Sequence, residues 1–441
     1  MSGQPARRSP AVLGVHTLAT RLVIHTSGFV ASVLVAHGLG PSGVGRYTVA
    51  MTVGTIATLL ASLGFEQAQA KAWSSGAASR QALFGTAIGV AATTGFVAAG
   101  VVLAGWYAER AGVFQGVGPL AITIVAALIP VRVLLALSRG LLIVGGETVR
   151  SNVALAVGDV ARTLTIAALT LFDAISLETV LAAFWLTMLV PLLPHARAAG
   201  PPGRPSAGGM RRHLRAGAAL SPYFLFLYMN LRLDVLLLAK LTDARAVGLY
   251  AVAVAFAELV WLVTDAITTG ARERQWGMSA DDSRATTAAA ARMSLLMALL
   301  AAPVLAMAAP AAIRVLFGDA FAGATAALWG LLPAAAAMAW WRALSPALVR
   351  FGRPSTVNGV AFAALALNAA LNLLLIPDHG ISGPALASLG SYAAGATLAM
   401  LALRPHGIAP RQLVPGREDV MRLARLVADG LTRTGARLHR G

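Results

Sequence analysis

No cysteine occurs in this chain, so disulfides and thiolate metal sites are excluded. Lysine is nearly absent too. Lys71 and Lys240 are the only two, and each follows an alanine, Ala70 or Ala239, where a phosphate-binding P-loop needs glycine. The eight histidines are scattered without HExxH spacing. Charged residues make up only 12% of the sequence, against roughly 25% in an average soluble domain. These absences leave no basis for ATP hydrolysis, a metal centre or a cofactor, and the chain is expected to be no enzyme.

Apolar residues fill the space that charge leaves. They are 57% of the 441 residues, and the mean hydropathy is +0.73. A soluble protein of this size could not hide so much apolar surface. The excess forms runs of about 20 residues, each long enough to cross a hydrocarbon core of about 30 Å. The runs fall near 14–37, 47–64, 82–107, 118–138, 153–172 and 178–195, then near 217–239, 247–270, 287–309, 325–345, 357–376 and 382–403. The pattern predicts an all-α polytopic membrane protein of about twelve transmembrane helices in two pseudo-symmetric six-helix lobes. The first lobe takes residues 1–195 and the second 217–403. A Gly/Pro/Arg-rich linker (196–216) joins them, and a basic tail (404–441) follows.

The formal net charge of +17 invites a nucleic-acid reading, but the basic residues alternate with topology instead. Arg7, Arg8, Lys71, Arg80, Arg139, Arg150, the linker arginines, Arg272, Arg274, Arg284, Arg342, Arg350, Arg353 and the tail belong to one set of loops and ends. The opposite set holds only Arg46, Arg110, Lys240, Arg245 and Arg314. The positive-inside rule then places both termini in the cytoplasm. Arg7 and Arg8 resemble a signal-peptide n-region, but Arg21 and His25 interrupt the apolar stretch behind them, so an uncleaved first helix is expected. In the tail, Val420, Leu423, Val427 and Leu431 form one helical stripe with arginines largely off it, a pattern suited to anionic lipid or to a solvated, partly helical tail.

An internal echo supports the two lobes. Val44-Gly45-Arg46-Tyr47-Thr48-Val49-Ala50 opens the second run, and Val247-Gly248-Leu249-Tyr250-Ala251-Val252-Ala253 opens the eighth. Six spans per unit is an even number, so the repeats are parallel, and a path between the lobes is the natural consequence.

Several strings, in order, resemble the polysaccharide transporter family of the multidrug/oligosaccharidyl-lipid/polysaccharide (MOP) superfamily, which includes the O-antigen flippases. They are Gly38-Leu39-Gly40-Pro41-Ser42-Gly43-Val44-Gly45, Leu63-Gly64-Phe65, Asp234, Val247-Gly248-Leu249-Tyr250 and Leu316-Phe317-Gly318. The last joins Asn368 and Asn372 to Ile376-Pro377-Asp378-His379-Gly380-Ile381-Ser382-Gly383-Pro384-Ala385. The resemblance implies twelve to fourteen helices around a central cavity. It also implies a lipid-linked glycan flipped across the cytoplasmic membrane, with glycan-assembly enzymes as possible partners and no nucleic acid. The scarcity of lysine and the Ala-rich spans depart from the family pattern.

Ionisable groups inside the spans point to the mechanism, because a charge at mid-bilayer costs about 2.5–3.5 kcal/mol unless it faces a cavity or a partner. Arg21, Arg132 and Arg162 in the first lobe and Arg232 in the second are candidates for binding a phosphate head group, since guanidinium offers planar, bidentate donors. Arg162 can equally pair with Asp159 one turn away, and Arg132 can snorkel to the surface. His25, Asp159, Asp234, Glu258 and Asp265 are candidates for coupling a proton or sodium gradient, or for pairing with the arginines. The competing readings are a cation-coupled multidrug exporter, which needs an acidic or aromatic cavity, and a membrane-embedded polysaccharide polymerase or ligase, which needs a sizeable outer loop.

Overall fold

A computed structural model describes residues 10–62, 64–204, 221–275, 278–421, 423 and 425, and no strand occurs among them. Helix Pro10–Ala61 is interrupted at Gly40, whose φ of 62° and ψ of 179° suit glycine alone. Pro41 then opens a new helix at the position where its missing N–H costs nothing. The sequence Gly40-Pro41 therefore makes two passes, α1 (10–39) and α2 (41–61). A short helix α3 (Phe65–Ser74) leads to α4 (Arg80–Glu109), which continues through one π-helical turn at Ala91–Gly95. The rest of the first lobe is α5 (Pro119–Val144), α6 (Thr148–Leu171) and α7 (Leu177–Ala199).

The second lobe begins with α8 (Ser221–Leu241), then α9 (Ala244–Glu258) and α10 (Val260–Gln275), which together make one span bent by 46°. Tighter i→i+3 bonding carries the bend, with Leu259 N–H donating to Phe256 O and Leu262 N–H to Leu259 O. It closes with α11 (Ala280–Phe317), α12 (Ala324–Phe351), α13 (Pro354–His379) and α14 (Ser382–Leu403).

Nine helices among the described residues are long and apolar enough to cross a bilayer, or ten with the bent pair. Ala19–Ala61 among them holds two passes, and α8 supplies the twelfth although Arg232, Asp234 and Lys240 lower its apolarity. Side-chain caps fix several helix starts: Asp243 accepts from Ala246 N–H at 2.7 Å, and Ser176 and Thr179 form a reciprocal capping box.

Small residues let the helices approach, as expected where lipid gives no hydrophobic drive between them. Gly395 on α14 leaves room for the fully buried Trp341 of α12, and Gly330 for Ala385. Helices run several residues beyond the apolar runs. Arg139 and Arg342, read from sequence as loop residues, lie within α5 and α12, and residues 196–199 of the expected linker belong to α7. Gly203 N–H donates to Gln81 O at 2.8 Å, pinning the start of the linker to α4. Residues 205–216 of the linker, Arg7 and Arg8, and the tail's Val427 and Leu431 lie outside the described residues.

The two lobes meet at the Arg-poor end. Contact between them runs through α1 and α2 against α8, α9 and the end of α11, whereas α10 packs on α11 and α12 of its own lobe. Phe29 of α1 packs edge-on against Phe256 of α9 and Phe317 of α11, with ring centroids 5.8 and 5.9 Å apart. His37 Nε2 lies 2.8 Å from Leu316 O, and Lys240 donates to Glu109 at 2.5 Å. The echoed motifs touch at the seam: a Cβ on Gly45 would overlap the carbonyl oxygen of Ala244, and one on Gly248 would overlap that of Pro41.

Candidate functional site

Below this closure the cationic residues of the first lobe gather along the seam. Arg132 of α5 and Arg162 of α6 both lie within electrostatic reach of Tyr47 on α2. Arg132 is also within electrostatic reach of Tyr228 on α8, in the other lobe; it makes no ion pair among the described residues. Pro130, two residues before it on the same helix, frees a backbone carbonyl. Arg162 pairs with Asp159, and its guanidinium covers the Phe184 ring at 4.7 Å. The (i, i+3) reading of that pair and a place at the seam are therefore compatible.

Toward the Arg-rich end, Arg21 and His25 are exposed on α1. Arg21 stands within electrostatic reach of Arg139, which in turn faces Glu66 on α3. His25 is similarly placed with respect to Asp159. Arg139 reads from the sequence as a loop residue because it follows directly on the apolar run, yet it belongs to α5. Its signal was the spacing from Arg132, seven residues or two turns on one face of α5.

Acids concentrate in the second lobe, and most are occupied. Glu258 holds Arg232 at 2.8 Å, and Asp265 holds Arg342 at 2.8 Å, with that guanidinium over the Trp261 ring at 5.1 Å. Asp265 is thus separated from the Arg232–Glu258 pair, although the two acids share a stripe in the sequence. Asp234 differs: it is buried, forms no ion pair among the described residues, and accepts hydrogen bonds from the Tyr250 hydroxyl and, at 2.8 Å, from Val235 N–H. A small cavity borders it, lined also by Leu231, Glu258, Trp261 and Tyr392, with about 20 Å³ open to water centres, room for one water. Asn230, one turn earlier on α8, is fully buried, and neither of its side-chain polar atoms is hydrogen-bonded among the described residues. Deeper in the lobe, Asn368 and Asn372 bond to each other at 3.0 Å, and Asn368 to Ser391 at 3.1 Å. No group of three His, Asp or Glu side chains that could hold a metal ion occurs among the described residues.

A family profile described as polysaccharide biosynthesis protein matches residues 34–326, from late in α1 through the linker to the start of α12. The chain belongs to this family. A search of curated proteins by sequence gives no match. Its fold is that of MOP-superfamily proteins. A structure described as the lipid II flippase MurJ in an inward closed conformation superposes with a TM-score of 0.70 at 12% identity, covering 93% of each chain. An inward-facing multidrug resistance MATE family transporter of the MOP superfamily gives 0.68 at 14% identity, covering 90% of this chain and 97% of the other. An outward-facing MATE transporter gives 0.60 at 14% identity, covering 89% and 94%.

Proposed function

We propose that this polysaccharide biosynthesis family member moves a lipid-linked oligosaccharide or polysaccharide precursor across the cytoplasmic membrane by alternating access, with both termini in the cytoplasm. What supports the reading is the set of arginines carried by the spans of the first lobe. Arg21, Arg139, Arg132 and Arg162 come from three helices of one lobe, and Arg132 is within electrostatic reach of Tyr228 of the other. Such a set suits a phosphate or pyrophosphate head group, while the polyprenyl tail stays in lipid. Arg232, held by Glu258, supports the wall of the second lobe. Of the acids, Asp234 is the best placed to take a proton or cation from a gradient, because Asp159, Glu258 and Asp265 already neutralise arginines. His25 beside Asp159 serves the same seam as a polar neighbour. The chain would work beside the enzymes that assemble the glycan.

A specific feature favours the second reading, a multidrug exporter: Asp234, Glu258 and Trp261 make one acidic, aromatic cavity. One experiment separates the two. Purified protein is reconstituted in vesicles loaded with lipid-linked oligosaccharide, and glycan exposure is read with an added glycosidase. The flippase reading expects exposure that Arg132→Ala and Arg21→Ala abolish in well-inserted protein. Unchanged exposure in the double variant, together with efflux of a cationic dye blocked by Asp234→Asn, would refute it.

A further inference from the structure

Residues 404–421 fold back beneath the second lobe, where Ile408 and Leu413 are fully buried. The Trp340 indole donates to Leu413 O at 3.1 Å, and Arg292 of α11 donates to Gln412 O at 2.8 Å and to Asp419 at 3.1 Å. His406 stacks on Phe351 at the foot of α12. The strap ends in a helical stretch that includes residues 417–421, 423 and 425.

At 100° per residue, that stretch has two faces. Asp419, bonded to Arg292, and half-buried Leu423 turn toward the lobe, about 40° apart. Arg417, Val420, Met421 and Arg425 share an arc of about 140° on the opposite side, and all four are exposed. Val420 is 50% and Met421 40% accessible. The stripe expected from the sequence is therefore split: Val420 turns outward among arginines, and Leu423 turns in.

Depth identifies what this outward face meets. Arg292 lies 25 residues from Phe317 along α11, about 37 Å at 1.5 Å per residue, against a hydrocarbon core of about 30 Å. The Arg292–Asp419 contact thus holds the strap helix at head-group level on the Arg-rich side. A water-facing surface at that level has no use for Val420 and Met421 between two arginines. An interfacial one does, with apolar side chains dipping below the phosphates and guanidinium groups binding them. We propose that Arg417, Val420, Met421 and Arg425 form a docking face for anionic phospholipid head groups in the leaflet at the Arg-rich end. Charge complementarity selects that occupant, and the proposal does not depend on the transported cargo.

The cysteine-free chain allows a direct test. Met421→Cys is labelled with an environment-sensitive fluorophore, and the full chain is placed in nanodiscs of phosphatidylcholine alone or with phosphatidylglycerol. Phosphatidylglycerol should shift the emission to the blue and shield the dye from acrylamide. Arg417→Gln and Arg425→Gln should each reverse this, by about fivefold in the docking equilibrium, the worth of one arginine at an anionic surface. Equal quenching in both disc compositions overturns the proposal, and so does protection that the arginine variants leave intact. Protection found in native membranes but in neither nanodisc gives the face to a protein partner and overturns it equally.

Discussion

Replacing Gly45 with alanine should drive the lobes apart at the Arg-poor end. The new Cβ would overlap the Ala244 carbonyl oxygen and come within 2.8 Å of its carbon and 3.0 Å of Gly248 N. All three neighbours are backbone, so no rotamer change relieves the contact, and the cost falls in the range of about 1–3 kcal/mol for overpacking. The contact exists only while the lobes are closed at that end. The penalty therefore applies to one conformation and shifts the equilibrium toward the opposite opening by roughly 5- to 150-fold. The shift is readable with spin labels on Gln115→Cys and Asp319→Cys, exposed residues near the Arg-poor ends of the two lobes. Gly45→Ala should add a longer distance population, and Gly248→Ala should reproduce it, because its Cβ would overlap the Pro41 carbonyl oxygen in the mirrored position. An unchanged distance distribution in both variants, in protein that folds and inserts normally, would refute the reasoning.

Glu109→Gln should produce the same opening more weakly, since both partners of the Lys240 pair are more than 40% exposed and solvent screens such pairs; the effect should fade at high salt. Arg232→Gln strands Glu258 inside the lobe, so membrane abundance should fall severalfold and recover in Arg232→Gln/Glu258→Gln, whereas no recovery would show that Arg232 acts alone. For orientation, an impermeant thiol reagent added outside intact cells should label Asp173→Cys and not Arg204→Cys, and the reverse pattern would overturn the cytoplasmic placement of both termini.

The fold was largely legible because bilayer length and backbone satisfaction leave few options for runs of this size. Gly40-Pro41 and the paired glycine motifs carried real geometry, for Gly45 and Gly248 turn out to face each other across the seam. Side-chain partners were less legible. Arg342 and Arg139 sit where a helix outlasts its apolar run, and hydropathy cannot see such an extension. Pairing between helices is equally hidden, so Glu258 and Asp265 looked like one stripe until the break at Leu259 separated their partners. The strap reads from the sequence as a basic amphipathic tail because Ile408 and Leu413 show no helical periodicity, and only the lobe above them explains their burial.

Helix α9 carries Gly248 and, two residues later, Tyr250. The first is part of the interlobe closure, and the second hydrogen-bonds the carboxyl of Asp234. One short helix thus touches both the other lobe and the buried acid of its own. Any coupling between the two runs both ways: a change at the acid that shifts the lobe equilibrium by some factor is matched by the same factor in the acid's own equilibrium when the lobes move.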